Sequence, residues 1–416
     1  MEKMLVLLGK ALAVLIPYGL VYFFVMFMGL MGMFPLYVTR AAGVVGAVLY
    51  FVIVARLSGY LRPKAKRIMG WAVAAMTVLA LIYVGAGLYK DNLDTVEGQM
   101  RDNMLGSYEP FRENSRAVKL EKPAGLQLTA QEARRLRLDG ATALYPVYAG
   151  FVQAVYPEKE YSIYDAGDSV DPTPEDWDGY GQITCSGTTE AYERLLAGKT
   201  DMIFVAGPSD AQLQRAEELG MELHMTPVGK EAFVFFVNSK NPVENLTVEQ
   251  IRGIYSGEIT NWKEVGGRNR SIRAFQRAED SGSQTALQRL MGDIPLMEPE
   301  EEDRIAAMDG IVRDVADYRN YRNALGFSFR FYCTEMMKEG NIKLLALDGV
   351  EPTKETIQDG SYPSASYFYA VTASKKGEPA PENSREEMKK FIRWILSEEG
   401  QRVVEETGYV AVTAGA

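Results

Sequence analysis

The 416-residue sequence has little that could hold a metal: one histidine, His224, and two cysteines, Cys185 and Cys333. These numbers exclude a Cys/His zinc cluster and a dense disulfide framework. A single histidine without serine-histidine pairing also argues against a hydrolase, so we expect no enzymatic activity, no cofactor and no metal. We interpret the cysteines as two buried thiols, with one bridge between them as the alternative.

Acidic residues outnumber basic ones beyond residue 90. Residues 1–90 carry nine lysines and arginines against one acid, whereas residues 91–416 carry 36 basic and 54 acidic residues, a formal charge of −18. A domain this acidic is a poor partner for nucleic acid, which requires a basic face. Any anion bound there must be held by local dipoles and individually placed charges.

Long uncharged stretches fill the N-terminal part. Residues 11–34 and 68–89 exceed the ~20 residues that cross a bilayer, and a shorter stretch extends to 36–56. The first stretch is too long for the apolar core of a signal peptide and lacks a small-residue cleavage site, so we expect it to be retained.

The charge of the loop between the second and third stretches orients the chain. Residues 56–67 carry five basic residues and no acid, which places them in the cytoplasm. With the N-terminus inside, three spans leave residues 56–67 in the cytoplasm. Two spans, with 41–55 as an interfacial hairpin, would place these basic residues on the outer face. We therefore predict a multi-pass protein of the cell membrane whose C-terminal domain is extracytoplasmic.

The exterior part divides into a linker and a folded domain. Residues 91–130 are polar and predict an extracytoplasmic linker with little core. Strands and helices alternate in 131–416, which is typical of α/β architecture. Apolar residues predict buried strands over 201–207 and 232–238, and a helical stripe runs over 144–155.

Several helix boundaries are legible. Residues 129–132, 247–250 and 384–387 have the spacing of a capping box. Gly257 is expected to end the second of these helices.

Three helix starts in the domain combine glycine with hydroxyl residues. They lie in "DGATALYP" (139–146), "TCSGTTEAYERLLAG" (184–198) and "QRAEDSGSQTALQRLM" (276–291). Each can be explained by capping, since a serine or threonine hydroxyl accepts a hydrogen bond from a free backbone N–H. Each can equally form part of an anion site, because helix starts present free N–H groups and a partial positive charge. Arg277, four positions before Ser281, would supply the full positive charge.

The domain resembles the PstS-type phosphate-binding proteins, the substrate-binding family of ABC phosphate importers. The matching stretches occur in family order over 135–416. They are "DGATALYPVYAGF", "TTEAYERLLAGKTD", "NLTVEQIRGIYSGEITNWKEVGG", "QRAEDSGSQTA", "ALGFSF", "ETIQDGSYP" and "FIRWILSEEGQRVVEETGYV".

The resemblance implies a two-lobed α/β domain of the periplasmic-binding-protein type II class over 131–416, here preceded by three transmembrane helices. The first lobe would comprise 131–230 and 365–416, and the second 231–364. Carried over residue by residue, the phosphate contacts would fall on Thr142, Ala143, Thr188, Arg277, Ser281, Gly282 and Ser283.

Two departures from the family pattern concern the ligand. Ala206 occupies the position where the family commonly has an aspartate that accepts a hydrogen bond from protonated phosphate. Its absence leaves open whether the ligand is phosphate or another oxyanion. Asp280 replaces the usual glycine before the Ser-Gly pair, where it would either pair with Arg277 or repel an anion. Asp201 is interpreted as a strand-end residue.

The function implied is that of a membrane-anchored, extracytoplasmic solute-binding protein of a bacterium. It would bind an oxyanion, most readily inorganic phosphate, and present it to ABC permease subunits. The alternatives are an anion sensor or accessory subunit acting on a membrane partner, and an interaction module that has lost ligand binding.

Overall fold

The computed structural model consists of two compact units, Met1–Gln99 and Met100–Ala416. The residues it describes are 6, 9, 23–24, 36–57, 62–159, 161, 182–299, 304–305, 322–337 and 341–412.

Two long helices account for most of the described part of the first unit: α1, Leu36–Leu57, and α2, Pro63–Gly106, which extends past the boundary at Gln99. By length and composition, their segments Val38–Arg56 and Pro63–Ala86 could each cross a membrane. Large apolar side chains on them are exposed, Trp71 to 73%. The first predicted span, 11–34, lies outside the described residues apart from Phe23 and Phe24, so the count of three spans stays a prediction.

The structure corrects the linker predicted over 91–130. Helix α2 continues to Gly106. Beyond it, the chain contributes side chains to the core of the second unit, and a helix, α3, spans Ala130–Arg134 behind the predicted capping box at Thr129. The buried side chains are Leu105, at the end of α2, and Tyr108, Ala117, Ala124 and Leu128 beyond it. These apolar residues are spaced among charged ones without helical or strand periodicity, which is why the sequence did not predict their packing.

The described residues of the second unit form nine further α-helices and twelve strands. The helices are α4 Tyr145–Val155, α5 Thr188–Leu196, α6 Asp210–Glu218, α7 Val248–Ser256, α8 Gly282–Met291, α9 Lys354–Gln358, α10 Pro381–Ser384, α11 Glu386–Ile395 and α12 Glu398–Thr407. The strands are β1 Leu138–Gly140, β2 Met202–Val205, β3 Met221–Asn238, β4 Asn245–Leu246, β5 Arg273–Ala274, β6 Gln276–Arg277, β7 Arg304–Ile305, β8 Ala324–Phe329, β9 Ile342–Leu344, β10 Ala346–Leu347, β11 Ala365–Lys375 and β12 Val410–Ala411.

One sheet runs through the unit in the order β1-β2-β11-β3-β8-β5, with β9 and β12 also paired to β3. Strand β3 pairs with β11 up to Ala232 and with β8 from Phe233 onward. The two predicted lobes, 131–230 with 365–416 and 231–364, divide the strands of this sheet between them. The first lobe then holds β1, β2, β11 and β12, the second holds β5, β8 and β9, and β3 is shared.

Aromatic clusters fill both parts of the sheet. In the first lobe, Tyr148 stacks on Phe204 with ring centroids 5.1 Å apart, and Phe151 packs against both Phe204 and Trp394. In the second lobe, Phe233 contacts Phe235 and Phe327. Burial of side chains this large is the main stabilising contribution to each lobe.

Local signals place most helix boundaries correctly. Thr247 accepts a hydrogen bond from the N–H of Gln250 and the capping box is complete, while Gly257 ends α7 with φ 86°. The capping box predicted at 384–387 is wrong. Ser384 ends the short helix α10, and Arg385, without a side-chain cap, precedes α11.

The prediction of two buried thiols is confirmed, because Cys185 and Cys333 are both buried and are not joined by a disulfide. Burial raises the pKa of the Cys333 thiol far above its ordinary value.

Glu231 is a fully buried carboxyl at the point where β3 changes partner. It accepts hydrogen bonds from the N–H groups of Ala232, at 2.8 Å, and Phe331, at 3.2 Å. Burial raises its pKa from 4.5 to about 7, although these hydrogen bonds and the charges of Arg330 and Lys354 lower it. Since the unfolded chain loses this proton near pH 4.5 and the folded protein keeps it up to about 7, stability should fall as pH rises between these values.

We expect Glu231→Gln to remove this part of the pH dependence. Relative to the variant, the wild type should lose roughly 3 kcal/mol between pH 5 and pH 8, because each pKa unit is worth about 1.4 kcal/mol. Thermal unfolding of the full chain in detergent micelles at several pH values measures the effect. Glu222→Gln, on an exposed part of β3, is the matched control. Parallel Tm profiles for wild type and Glu231→Gln would contradict the assignment.

Candidate anion-binding site

The first helix start follows the end of β1. A Cβ at Gly140 would lie 2.4 Å from the carbonyl oxygen of Phe204, so only glycine lets β1 approach β2 here. The chain then makes a single 3₁₀ turn, Thr142–Leu144, before α4. The carbonyl of Ala141 accepts from the N–H groups of Leu144 and Tyr145. The N–H groups of Thr142 and Ala143 therefore precede the first hydrogen bond of the turn, as expected of donors at a helix start.

The second helix start is held beside the first by backbone hydrogen bonds. The N–H of Thr184 donates to Leu138 O at 2.8 Å, and that of Gly187 donates to Gly140 O at 3.1 Å. Gly187 has φ 93°, a conformation that favours glycine, and Thr188 begins α5 directly after it. The starts of α4 and α5 therefore lie side by side at the ends of β1 and β2.

Asp139 fixes this pair of helix starts, and the sequence analysis missed it. Its fully buried carboxylate accepts from the N–H of Gly140, and from the N–H and hydroxyl of Ser186 at 2.8 and 2.7 Å. It also forms an ion pair of 2.9 Å with Arg194 on α5. The Ser186 hydroxyl thus supports the loop, and the aspartate before the first glycine was the available signal.

The third helix start, in the second lobe, carries the arginine. Arg277 in β6 is buried, with 9% of its surface exposed, and its Nη1 lies 3.4 Å from the hydroxyl of the fully buried Ser283. Its N–H donates to Gln284 Oε1 at 2.8 Å, which ties β6 to the first turn of α8. The hydroxyl of Ser281 accepts from the N–H of Gln284 at 3.3 Å, so capping does occur here.

The helix starts of the two lobes meet at Gly282. A Cβ on Gly282 would lie 2.9 Å from Oγ1 of Thr188. The structure therefore brings Thr188 together with Gly282, and Gly282 is flanked by Ser281 and Ser283. Thr142 and Ala143 lie at the start adjoining that of Thr188. Ligand contacts for these residues stay a prediction.

The two departures have definite surroundings. The carboxylate of Asp280 contacts Ser209, whose hydroxyl donates to Asp280 Oδ1 at 2.7 Å. Ala206 offers no side-chain acceptor, and its carbonyl accepts from the Tyr192 hydroxyl at 3.2 Å. Burial raises the pKa of that tyrosine above its ordinary value.

Asp201 has a structural role. Its carboxylate pairs with Arg137 at 2.7 Å and with Arg385 at 2.8 Å. Burial raises the pKa of Asp201, but the hydrogen bonds from the two arginines outweigh this and lower it overall.

In this α/β domain the start of α8 therefore lies against the start of α5, and the buried Arg277 lies beside Ser283 in the first turn of α8. The sequence profile of the PBP superfamily domain matches residues 128–399, and the chain belongs to this family.

The relatives of the chain include two staphylococcal proteins. The phosphate-binding protein PstS of Staphylococcus epidermidis is 28% identical over 232 residues, which cover 54% of this chain and 68% of the relative. PstS of Staphylococcus haemolyticus is 27% identical over 234 residues, covering 54% and 70%. Among solved structures, an ABC-type phosphate transport receptor from Vibrio cholerae is 20% identical with a TM-score of 0.47, covering 67% of this chain and all of that one.

We expect Asp139→Asn to destabilise the domain by about 3–5 kcal/mol, because it leaves the charge of Arg194 without its buried partner. Thermal unfolding of the full chain measures the loss. Glu249→Gln is the control, since it removes an exposed ion pair of 2.7 Å with Arg252 and should change stability by less than about 1 kcal/mol. Equal Tm shifts for the two variants would contradict the role given to Asp139.

Proposed function

We propose that this protein is a membrane-anchored, extracytoplasmic substrate-binding protein that captures inorganic phosphate for an ABC importer. The observation that carries the proposal is the contact of the Thr188 and Gly282 helix starts from the two lobes, with the buried Arg277 beside Ser283. The match to the PBP superfamily domain and the phosphate-binding names of the relatives support the class of ligand.

The proposed site holds phosphate with donors from both lobes. Arg277 offers a guanidinium that can fork onto two oxygens. The first-lobe donors are the N–H groups of Thr142 and Ala143 and the hydroxyl of Thr188. Ser281 and Ser283 add hydroxyls beside the N–H of Gly282. Hydrogen bonds to an ionised group contribute about 1.5–3 kcal/mol each, so four or five of these donors suffice for micromolar affinity.

Local donors have to hold the anion, because the charge of the domain does not attract one. Residues 91–416 are strongly acidic. Electrostatic repulsion from the acidic domain would slow the approach of a dianion, and high salt should screen this repulsion. The site therefore depends on short-range hydrogen bonds and on the partial charges of the helix starts.

Calorimetric titration of the full chain in detergent micelles tests the ligand. We expect phosphate and arsenate to bind with similar affinity, because both present tetrahedral oxygens carrying a proton at neutral pH. Sulfate carries no proton at neutral pH, so its binding shows whether the site selects a protonated anion although Ala206 provides no side-chain acceptor. Absence of binding by all three anions at millimolar concentration would disprove the proposal.

We expect Arg277→Ala to weaken phosphate binding by more than about 100-fold, since it removes the guanidinium of the proposed site. The phosphate affinity of Arg277→Lys should lie between those of the wild type and Arg277→Ala, because lysine keeps the charge but cannot bind two oxygens as the guanidinium does. Arg402→Ala, at an exposed position of α12, is the control and should bind as the wild type does. Wild-type affinity in Arg277→Ala, with the fold verified by circular dichroism, would remove the arginine from the site.

A further inference from the structure

Asp280 adopts a backbone conformation that a side chain disfavours. Its φ is 61°, in the left-handed region where glycine is usual. It directly precedes Ser281, the N-cap of α8. A residue stays in such a conformation only where the surrounding structure holds it there.

That contact reaches into the first lobe. Oδ1 of Asp280 accepts from the hydroxyl of Ser209 at 2.7 Å, and its carbonyl accepts from Nε2 of Gln212 at 3.2 Å. Both donors are buried and held in place by their own capping box at the start of α6: Gln212 N–H donates to Ser209 Oγ at 3.1 Å, and Ser209 N–H donates to Gln212 Oε1 at 2.9 Å. The first lobe thus presents Asp280 with a preorganised pair of donors.

A second contact between the lobes lies beside the first. Nη2 of Arg289, on α8, donates to the carbonyl of Pro208 at 2.6 Å. The same guanidinium packs against Gly207, where a Cβ would lie 2.9 Å from it. The residue before the N-cap of α8 and Arg289 near the C-terminal end of α8 therefore both contact the segment Gly207–Gln212.

We propose that Asp280 is a positioning residue that latches the two lobes together over the anion site, with Arg289 as the second member of the latch. This inference rests on the proposed function for its ligand, but not for its geometry. Asp280 is continuous with the Ser281–Ser283 helix start, so an engaged latch holds that start against Thr188. The latch favours the closed arrangement and slows release of the anion.

Asp280→Gly tests the latch without threatening the fold, because glycine suits the left-handed conformation and removes only the carboxylate. Spin labels on cysteines introduced at the exposed positions Gln214 and Asp293, one in each lobe, report the distance between the lobes in the full chain. We expect Asp280→Gly and Arg289→Ala to shift this distance to longer values without phosphate. Phosphate release, measured by stopped flow, should become about tenfold faster.

Asp280→Asn is the matched control, since its amide oxygen can still accept from Ser209 and asparagine tolerates the left-handed conformation. It should release phosphate within about threefold of the wild-type rate, at the wild-type distance. Unchanged distances and release rates in both Asp280→Gly and Arg289→Ala would overturn the latch.

The two proposals can fail separately. If the wild type binds no phosphate, the proposed ligand is wrong, while the distance measurement still decides whether Asp280 holds the lobes together. If phosphate binds and Asp280→Gly changes neither distance nor release, the latch is wrong and the proposed function stands.

Discussion

The close approach of Gly282 to Thr188 is the constraint on which the rest of the site depends. A side chain at position 282 would meet Oγ1 of Thr188 at 2.9 Å, so the start of α8 reaches the start of α5 only because it has none. That approach also requires a fixed target. Asp139 provides it, since its buried carboxylate holds Ser186 and Arg194 on either side of Thr188. The geometry of the proposed site is thus set in part by Asp139, a residue outside the set of proposed ligand contacts.

The shared strand β3 determines how the two lobes can be related. Its first part pairs with β11 and its second part with β8, so both lobes are hydrogen-bonded to one continuous backbone. Within the first part, a Cβ at Gly229 would lie 2.5 Å from the ring of Phe368, across a register shift in the ladder. Glu231 follows, buried at the change of partner. Glycine, an irregular register and a buried carboxyl are concentrated where the lobes join.

Sequence patterns predict this structure where the determining interactions are local. The Thr247 capping box and the Gly257 helix end involve residues a few positions apart, and both were predicted. The capping box predicted at Ser384 does not form, because a distant interaction holds the neighbouring residue. Arg385 pairs with Asp201, 184 positions away, and with Glu387, the residue that the capping box requires. The first half of β3 was missed for the same reason, since Pro227 and Gly229 argue against a strand until β11 supplies its ladder.

Capping and anion binding, which the sequence presents as alternatives for the third helix start, are compatible in the structure. The Ser281 hydroxyl accepts from the N–H of Gln284, which occupies its oxygen and leaves its proton to donate. The neighbouring Asp280 shows why the acidic residue is tolerated there: its carboxylate is engaged by Ser209 in the other lobe. A negative charge beside a proposed anion site is then used for holding the lobes together, and the hydroxyl and N–H donors of the helix start remain available to the ligand.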